Sequence, residues 1–208
     1  MNKDPYRNVA GRYDRLFESM NKGLRVVGIR MFRPAEGMHV LDVGCGTGTH
    51  LELYQRYKCR LYGIDLSPAM LEIARDRLGE SAQLDLGDAA DMPYTDDRFD
   101  LIICMISLHE MSPETRSAVL DEMMRVLKSD GRILLVDYHP GPYRPLQGWI
   151  SKLIITVSEL VAGREHWRNY RQFMTGGGLA TVIAEHGLSV AKQQVLAGGT
   201  FAIYLVKA

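Results

Sequence analysis

The chain has 208 residues, 46% hydrophobic and 24% charged, which is the balance of a globular protein with an ample core. Its 25 Lys and Arg equal its 25 Asp and Glu, so no overall positive charge favours nucleic acid as a partner. The three cysteines lack the spacing of a zinc or redox site, and no stretch reads as a signal peptide or membrane span. We therefore expect a cytoplasmic protein without a disulfide framework.

Short apolar runs typical of strands alternate with helical segments along most of the chain. The predicted strands cover residues 39–43, 60–64, 82–86, 99–106, 132–136, 188–196 and 200–206. Helical spacing covers residues 49–57, and Ser67-Pro68 and Ser112-Pro113 predict two helix starts, because Ser caps a helix and Pro suits its first position. This alternation predicts a largely parallel sheet, and Ala197-Gly198-Gly199 predicts a terminal hairpin whose last strand enters antiparallel.

A glycine-rich turn follows the first predicted strand, in the stretch V-L-D-V-G-C-G-T-G-T-H. Gly44, Gly46 and Gly48 permit a sharp strand-to-helix turn and close approach of a ligand to the main chain. A tight turn alone would also explain them. The nicotinamide fingerprint needs a glycine at position 49, where this chain has Thr49.

Acidic residues follow the next two strands. Asp65 lies about 20 residues beyond the first glycine, a spacing at which a carboxylate can accept hydrogen bonds from ribose hydroxyls. In G-D-A-A-D-M-P-Y, Asp88 can accept from an exocyclic amine and Ala89 leaves room for a flat ring. Either acid, taken alone, would be read as a solvated loop residue.

Four motifs in this order resemble the class I S-adenosylmethionine-dependent methyltransferases. They are D-V-G-C-G-T-G, G-I-D-L-S-P-A-M-L, G-D-A-A-D-M-P and F-D-L-I-I-C-M-I-S-L-H-E. The resemblance covers about residues 6–136 and implies a three-layer Rossmann-like α/β sandwich around a mostly parallel seven-stranded sheet. It also implies S-adenosylmethionine as methyl donor, S-adenosylhomocysteine as product and no metal. We expect one domain over residues 1–208, divided into N-terminal lid helices 1–35, cofactor-binding core 36–138, helical insert 139–175, and final helix and hairpin 176–208.

The resemblance assigns the cofactor residues one by one. The methionine part of the cofactor is approached by Gly44, Cys45, Gly46 and Gly48, which follow Asp42, where the family often has Glu. The ribose is bound by Asp65. The adenine lies beside Leu66 and Met70, its edge is held by Asp88 and Ala89, and the floor is lined by Cys104 and Met105. Two alternatives stay open. Met70 is equally well a core residue, and Cys104 a small buried apolar one rather than a nucleophile.

Residues 6–17, Y-R-N-V-A-G-R-Y-D-R-L-F, precede the core. A similar Tyr-Asp stretch precedes it in quinone-biosynthesis C-methyltransferases and in soluble bacterial phospholipid N-methyltransferases, where it folds over the cofactor. By this resemblance Tyr13 is a candidate lid residue that contacts the cofactor. The alternative is an amphipathic helix in which Tyr13 and Phe17 pack on the domain.

The insert at residues 140–163 carries one continuous apolar helix face. Its members are Leu146, Trp149, Ile150, Leu153, Ile154, Val157, Leu160 and Val161. One interpretation is a lid that packs this face on the core above an apolar acceptor. The other is a membrane contact through residues 146–161, because Trp149 beside Lys152 resembles an interfacial anchor and Arg144 could meet a lipid phosphate.

Residues 163–173, G-R-E-H-W-R-N-Y-R-Q-F, are dense in Arg, His and aromatic side chains. That composition suits an anionic or polar headgroup. The alternative is a solvated connector in which Trp167, Tyr170 and Phe173 pack inward at helical spacing.

Two histidines follow the fourth and fifth strands, where the family's acceptor pocket begins. His109 is the first candidate catalytic base and His139 the second, although a loop histidine is often structural. The predicted function is methyl transfer by in-line displacement to a small, apolar or lipid-like acceptor, with a homodimer as a further expectation. The alternatives are a non-catalytic S-adenosylmethionine-binding module and a methyltransferase acting on RNA or protein.

Overall fold

The architecture is a seven-stranded mixed sheet with helices packed around it. A computed structural model describes the backbone of residues 10–208 and the side chains of residues 21–160 and 163–208. The strands are β1 (His39–Val43), β2 (Arg60–Asp65), β3 (Ala82–Leu86), β4 (Phe99–Met105), β5 (Leu127–Tyr138), β6 (Ser189–Leu196) and β7 (Phe201–Lys207). The helices are α1 (Ala10–Met31), α2 (Thr49–Tyr54), α3 (Pro68–Leu78), α4 (Pro113–Val126), α5 (Gln147–Ala162), α6 (Arg164–Thr175) and α7 (Leu179–Glu185).

The strand order is β3-β2-β1-β4-β5-β7-β6. The first five strands pair in parallel, and β7 runs antiparallel to both β5 and β6. This confirms the predicted fold class, including the antiparallel last strand. The order reverses between β1 and β4, so the carboxyl ends of these two strands flank a crevice of the kind in which open α/β sheets bind ligands.

The central strands are apolar on both faces because helices cover both sides of the sheet. Leu41 of β1, Ile102 of β4 and Leu134 of β5 are completely buried. A rigid sheet therefore holds the loops that follow β1, β2 and β4 in fixed relative positions.

Both predicted helix caps form. The Ser67 hydroxyl accepts a hydrogen bond from the Met70 amide at 3.2 Å, and the Ser112 hydroxyl accepts one from the Thr115 amide at 3.2 Å. A proline occupies the first position of α3 and of α4, where its missing amide hydrogen is not needed. The starts of α3 and α4 are thus determined by local sequence alone.

Two boundaries differ from the expectation. The helical segment 49–57 divides into α2 and a 3₁₀ turn, Gln55–Tyr57, which tightens the chain before the left-handed Lys58. Strand β5 begins at Leu127, five residues early, because Leu127 pairs with Phe99 and the register then shifts. Residues 128–131 are mostly polar, so the hydrophobic pattern does not predict this extension of the strand.

The apolar face of the insert points away from the core. Trp149 is 59% exposed and Leu153 64% exposed, and Ile150, Ile154, Val157 and Leu160 are exposed as well. The opposite side of α5 lies against the domain through Gly148, Ile155 and Glu159, all buried. The expectation that the apolar face packs on the core is therefore wrong. Among the helices that the structure describes, none is both long and apolar enough to cross a bilayer.

Candidate active site

The glycine-rich loop between β1 and α2 lies at the crevice. Gly44, Gly46 and Gly48 all have positive φ, at 71°, 53° and 76°, a conformation that residues with a side chain rarely adopt. The amides of Gly44 and Cys45 both donate to the Ile64 carbonyl, at 2.9 and 3.2 Å. The loop is therefore pinned to the carboxyl end of β2.

The three glycines face different surroundings. A Cβ on Gly48 would lie 2.8 Å from Leu78 and 3.2 Å from Ala74, so this glycine lets α2 approach α3. A Cβ on Gly44 would lie 2.8 Å from the Ser107 hydroxyl. A Cβ on Gly46 would meet no atom within 4 Å, so the loop is open on that side.

Asp65 is the last residue of β2, and its carboxylate accepts hydrogen bonds from the main chain of the two neighbouring loops. One carboxylate oxygen accepts the Gly46 amide at 2.8 Å, and the other accepts the Ser67 amide at 2.8 Å. The neighbouring Leu66 is 69% exposed, whereas Met70 is buried in the core, as the alternative reading of that residue expected. The carboxylate is thus oriented by main-chain donors beside an exposed apolar side chain.

Asp88 and Ala89 follow β3 on the same edge of the sheet. The Gly87 amide donates to the Asp65 carbonyl at 3.1 Å, which ties this turn to the end of β2. The Asp88 carboxylate accepts the Ala90 amide at 2.9 Å and is exposed, while Ala89 is half-buried. Topology therefore brings the three predicted loops to one crevice.

Asp42 lies near the end of β1, just before the glycine loop, and is buried. The pKa of this carboxyl group is raised to about 7. Burial is the main cause and the nearby Asp65 adds to it, whereas the Arg25 guanidinium of α1 acts in the opposite direction. At 2% exposure, Asp42 lies in the protein interior, in the strand that leads into the loop. Tyr13 belongs to α1, but its side chain lies outside the described residues.

The carboxyl end of β4 lies beside that of β1, with Cys104 paired to Val43. Cys45 and Cys104 are buried, and burial raises the pKa of both thiols well above the usual range, so both stay protonated and act as small apolar groups. Met105 is half-buried. Ile106 has φ of 52°, a costly conformation for a β-branched residue, at the point where the chain turns towards Ser107.

His109 occupies a buried cluster of charges between β5 and α5. It is 1% exposed, and its Nδ1 lies 2.7 Å from an Asp137 carboxylate oxygen. Its Nε2 lies 3.5 Å from Glu159 Oε1 and 3.9 Å from Glu110 Oε1, without good hydrogen-bond geometry to either. The Tyr138 hydroxyl donates to Glu159 at 3.1 Å.

Charge balance in this cluster fixes the protonation of His109. Burial alone would lower the pKa of His109, but the charge of Asp137, its hydrogen bond and the nearby Glu159 and Glu110 raise it to about 10. Burial would raise the pKa of Glu159, but His109, His166 and Tyr138 lower it to about 2. At neutral pH the cluster is an imidazolium held between buried carboxylates.

We expect His109 to remain protonated through pH 7 and to titrate near pH 10 when its ring C–H resonance is followed by NMR. Glu159→Gln removes one of the stabilising carboxylates, so the midpoint should move to lower pH. The control is Glu165→Gln, an exposed acid on α6. A wild-type midpoint below pH 7, or an equal shift in the control, would contradict this account.

His139 has a different environment. Its Nδ1 lies 3.1 Å from the Gly199 carbonyl and 3.2 Å from the Gly141 amide, and its own amide donates to Thr200 at 2.8 Å. These contacts attach the end of β5 to the terminal hairpin. His139 therefore lies among main-chain groups, whereas His109 lies among carboxylates.

Comparison with known proteins assigns this geometry to a family. A family model described as a methyltransferase domain matches residues 40–131. The chain is 30% identical over 171 residues to the demethylmenaquinone methyltransferase of Thermobifida fusca, an alignment that covers 74% of this chain and 71% of that protein. The chain belongs to the class I S-adenosylmethionine-dependent methyltransferases.

Two further similarities support the assignment. The methyltransferase is 31% identical over 143 residues to the demethylmenaquinone methyltransferase of Clavibacter sepedonicus; the alignment covers 66% of this chain and 58% of that relative. In fold it is similar to a chain from the complex of the Haloferax volcanii Trm112 methyltransferase activator with a methyltransferase. The TM-score is 0.72 at 19% identity, over 100% of this chain and 99% of that one. The second likeness concerns the fold alone.

The residues of this methyltransferase fit the cofactor that the family uses. The Gly46 amide donates to the Asp65 carboxylate, and a Cβ on Gly46 would meet nothing within 4 Å. Main chain without a side chain can approach a ligand closely, and a fixed carboxylate can accept from two neighbouring hydroxyls.

Glu159 and the role of Asp137 beside His109 were not predicted from the sequence. Glu159 is the sole acid of α5, between apolar residues, and Asp137 interrupts the apolar strand β5. An isolated acid in an apolar segment signals a buried pair, but nothing in the sequence identifies His109 as the shared partner.

Proposed function

We propose that this methyltransferase transfers a methyl group from S-adenosylmethionine to a carbon atom of a flat, quinone-type acceptor. The observation that carries the proposal is the glycine loop with Asp65 at the switch point, in a chain similar to two demethylmenaquinone methyltransferases. In this proposal residues 36–138 bind the cofactor and residues 139–175 cap the acceptor, within a single domain over residues 1–208.

The cofactor assignment follows the crevice. The main chain of Gly44, Cys45 and Gly46 would face the methionine part, and Gly48 would set the helix spacing behind it. Asp65 would accept from the ribose hydroxyls, because the Gly46 and Ser67 amides orient its carboxylate at the end of β2. When bound, S-adenosylmethionine supplies an activated methyl group on a sulfonium.

The adenine would lie at the outer part of the same crevice. Exposed Leu66 offers apolar surface for one face of the ring, and Asp88 with Ala89 would hold its edge. Met70 would support the loop from the core, and Cys104 and Met105 would form the floor. Asp42 would keep the glycine loop in place.

The surroundings of His109 favour an aromatic acceptor. The rings of Tyr138, Tyr170 and Phe173 lie 4.4, 6.3 and 6.4 Å from the imidazole, measured between centroids. Aromatic walls suit a flat apolar ring, and the imidazole among them could hold or move a proton at the acceptor hydroxyl.

We assign His109 that proton-handling role and Asp137 the role of orienting it. In the present arrangement Nε2 is buried against Glu159, which comes from α5. Displacement of α5 by an entering acceptor would remove one carboxylate and uncover Nε2. The pKa of His109 would then fall, because one of its three neighbouring carboxylates is removed, and the ring could accept a proton. His139 remains a second candidate.

The test is turnover with an isotope-labelled methyl donor. The purified protein is incubated with short-tailed demethylmenaquinol, with phosphatidylethanolamine vesicles, or with no acceptor, and products are analysed by mass spectrometry. We expect label on a ring carbon of the quinol, suppressed by S-adenosylhomocysteine. Label on the phospholipid instead, or S-adenosylmethionine binding without quinol methylation, would overturn the acceptor assignment.

A further inference from the structure

The outward side of α5 is an unpartnered apolar surface. We call this surface the α5 outer face; it consists of Trp149, Ile150, Leu153, Ile154, Val157 and Leu160, each more than half exposed. At 100° per residue these positions occupy a continuous arc of the helix. Single exposed apolar residues are common on protein surfaces, whereas a contiguous apolar patch indicates an interaction site.

The inner side of α5 explains why the helix holds this orientation. Glu159 pairs with His109 and Tyr138, and Ile155 is buried in the core. Gly148 packs so closely on the Gly198 backbone that no side chain would fit there. Turning the apolar face inward would expel a buried carboxylate from its partners, so the exposed orientation is built into the fold.

Positive charge predominates in the segment that carries the α5 outer face. Residues 140–175 contain five Lys or Arg and two Glu, although the whole chain is neutral, and one of those Glu residues is the buried Glu159. Arg164, Arg168 and Arg171 are exposed at i, i+4 and i+7, on one side of α6. The segment therefore combines an exposed apolar helix face on α5 with exposed arginines on the next helix, α6.

Aromatic and cationic groups meet at one end of α5. The Lys152 ammonium lies 4.4 Å from the Tyr143 ring centroid and 5.8 Å from that of Trp149. The two rings are 5.6 Å apart. Trp and Tyr with a cation prefer the boundary between hydrocarbon and polar headgroups.

We propose that the α5 outer face docks on an anionic lipid bilayer, with α5 lying in the plane of the interface. The 16 residues of α5 extend about 24 Å, less than the roughly 30 Å of hydrocarbon, and the inner side is polar and bound to the domain. A second copy of the chain is the less suitable occupant. A two-fold contact through this face would bring two segments of like net charge together. The inference is independent of the acceptor.

The test is sedimentation with vesicles of phosphatidylcholine alone or mixed equally with phosphatidylglycerol. We expect the wild type to pellet with the anionic vesicles and to be released by high salt. The double variant Leu153→Gln/Val157→Gln should lose at least about tenfold in partitioning, because two apolar side chains no longer enter the interface. The matched control is Val190→Gln/Val195→Gln, two exposed valines on β6.

Fluorescence and light scattering complete the test. In a Trp167→Phe background, Trp149 is the remaining one of two tryptophans, and its emission should shift to the blue with anionic vesicles. Absence of wild-type binding, or equal loss in the β6 control, would overturn the proposal. A dimer of the wild type that the α5 double variant abolishes, without vesicle binding, would assign the face to a second copy instead.

Discussion

Asp65→Ala is expected to weaken binding of S-adenosylmethionine and S-adenosylhomocysteine by about 100-fold. The carboxylate follows β2 and is oriented by the amides of Gly46 and Ser67. A hydrogen bond to a charged group contributes about 1.5–3 kcal/mol, and two ribose hydroxyls would lose their acceptor together. Loss of about 3 kcal/mol corresponds to roughly two powers of ten in the dissociation constant.

The measurement is calorimetric titration of both ligands into the purified variant. Asp121→Ala is the matched control, because Asp121 is an exposed acid on α4. Unfolding by urea checks that the Asp65 variant is folded, since the Gly46 and Ser67 amides also lose an acceptor. A folded Asp65 variant with unchanged affinity would remove this residue from the cofactor site.

His109→Gln is expected to lower the free energy of unfolding by about 3 kcal/mol at pH 6.5. The imidazolium is the shared counter-charge of Asp137 and Glu159, both buried. Breaking a buried ion pair on one side leaves an uncompensated charge, which typically destabilises by about 3–5 kcal/mol. The additional change Glu159→Gln should restore part of the loss, because it removes one of the two orphaned carboxylates.

The pH dependence has a definite sign. The pKa of His109 is raised from 6.5 to about 10 in the folded chain. The folded state therefore binds more protons than the unfolded state between these values, and stability falls as pH rises through them. The difference between wild type and His109→Gln should be complete below pH 6.5 and shrink towards pH 10.

Urea unfolding at a series of pH values measures both effects. His139→Gln serves as control, because its ring contacts main-chain groups and carries no buried counter-ion role. A loss below about 1 kcal/mol in His109→Gln, or a gap to wild type that widens above pH 6.5, would contradict the ionised cluster.

Local sequence determines much of the fold. The caps at Ser67 and Ser112, the glycine loop and the terminal hairpin all form where the sequence predicts them, because each depends on a few neighbouring residues. The parallel order follows from the alternation of strands and helices. The crevice is predictable for the same reason, since its loops follow strands of one sheet.

Features that depend on distant contacts were not predictable. Periodicity identifies which residues of α5 share a face, but it does not say whether that face points inward, and here Glu159 decides the orientation. The start of β5 at Leu127 depends on pairing with Phe99 across a register shift. The protonation of His109 depends on carboxylates contributed by β5 and α5, far apart in the chain.

The glycine loop meets two separate requirements, close packing of helices at one glycine and open access to the crevice at another. Gly48 is confined by Leu78 and Ala74, whereas Gly46 faces open space beside Asp65. A side chain at position 48 would force two helices apart and damage the folded state. A side chain at position 46 would leave that packing intact, although it would strain the backbone at a φ of 53°, and it would obstruct whatever enters the crevice. Substitutions at two glycines only two residues apart should therefore have different main effects: at position 48 on the stability of the fold, and at position 46 on ligand binding.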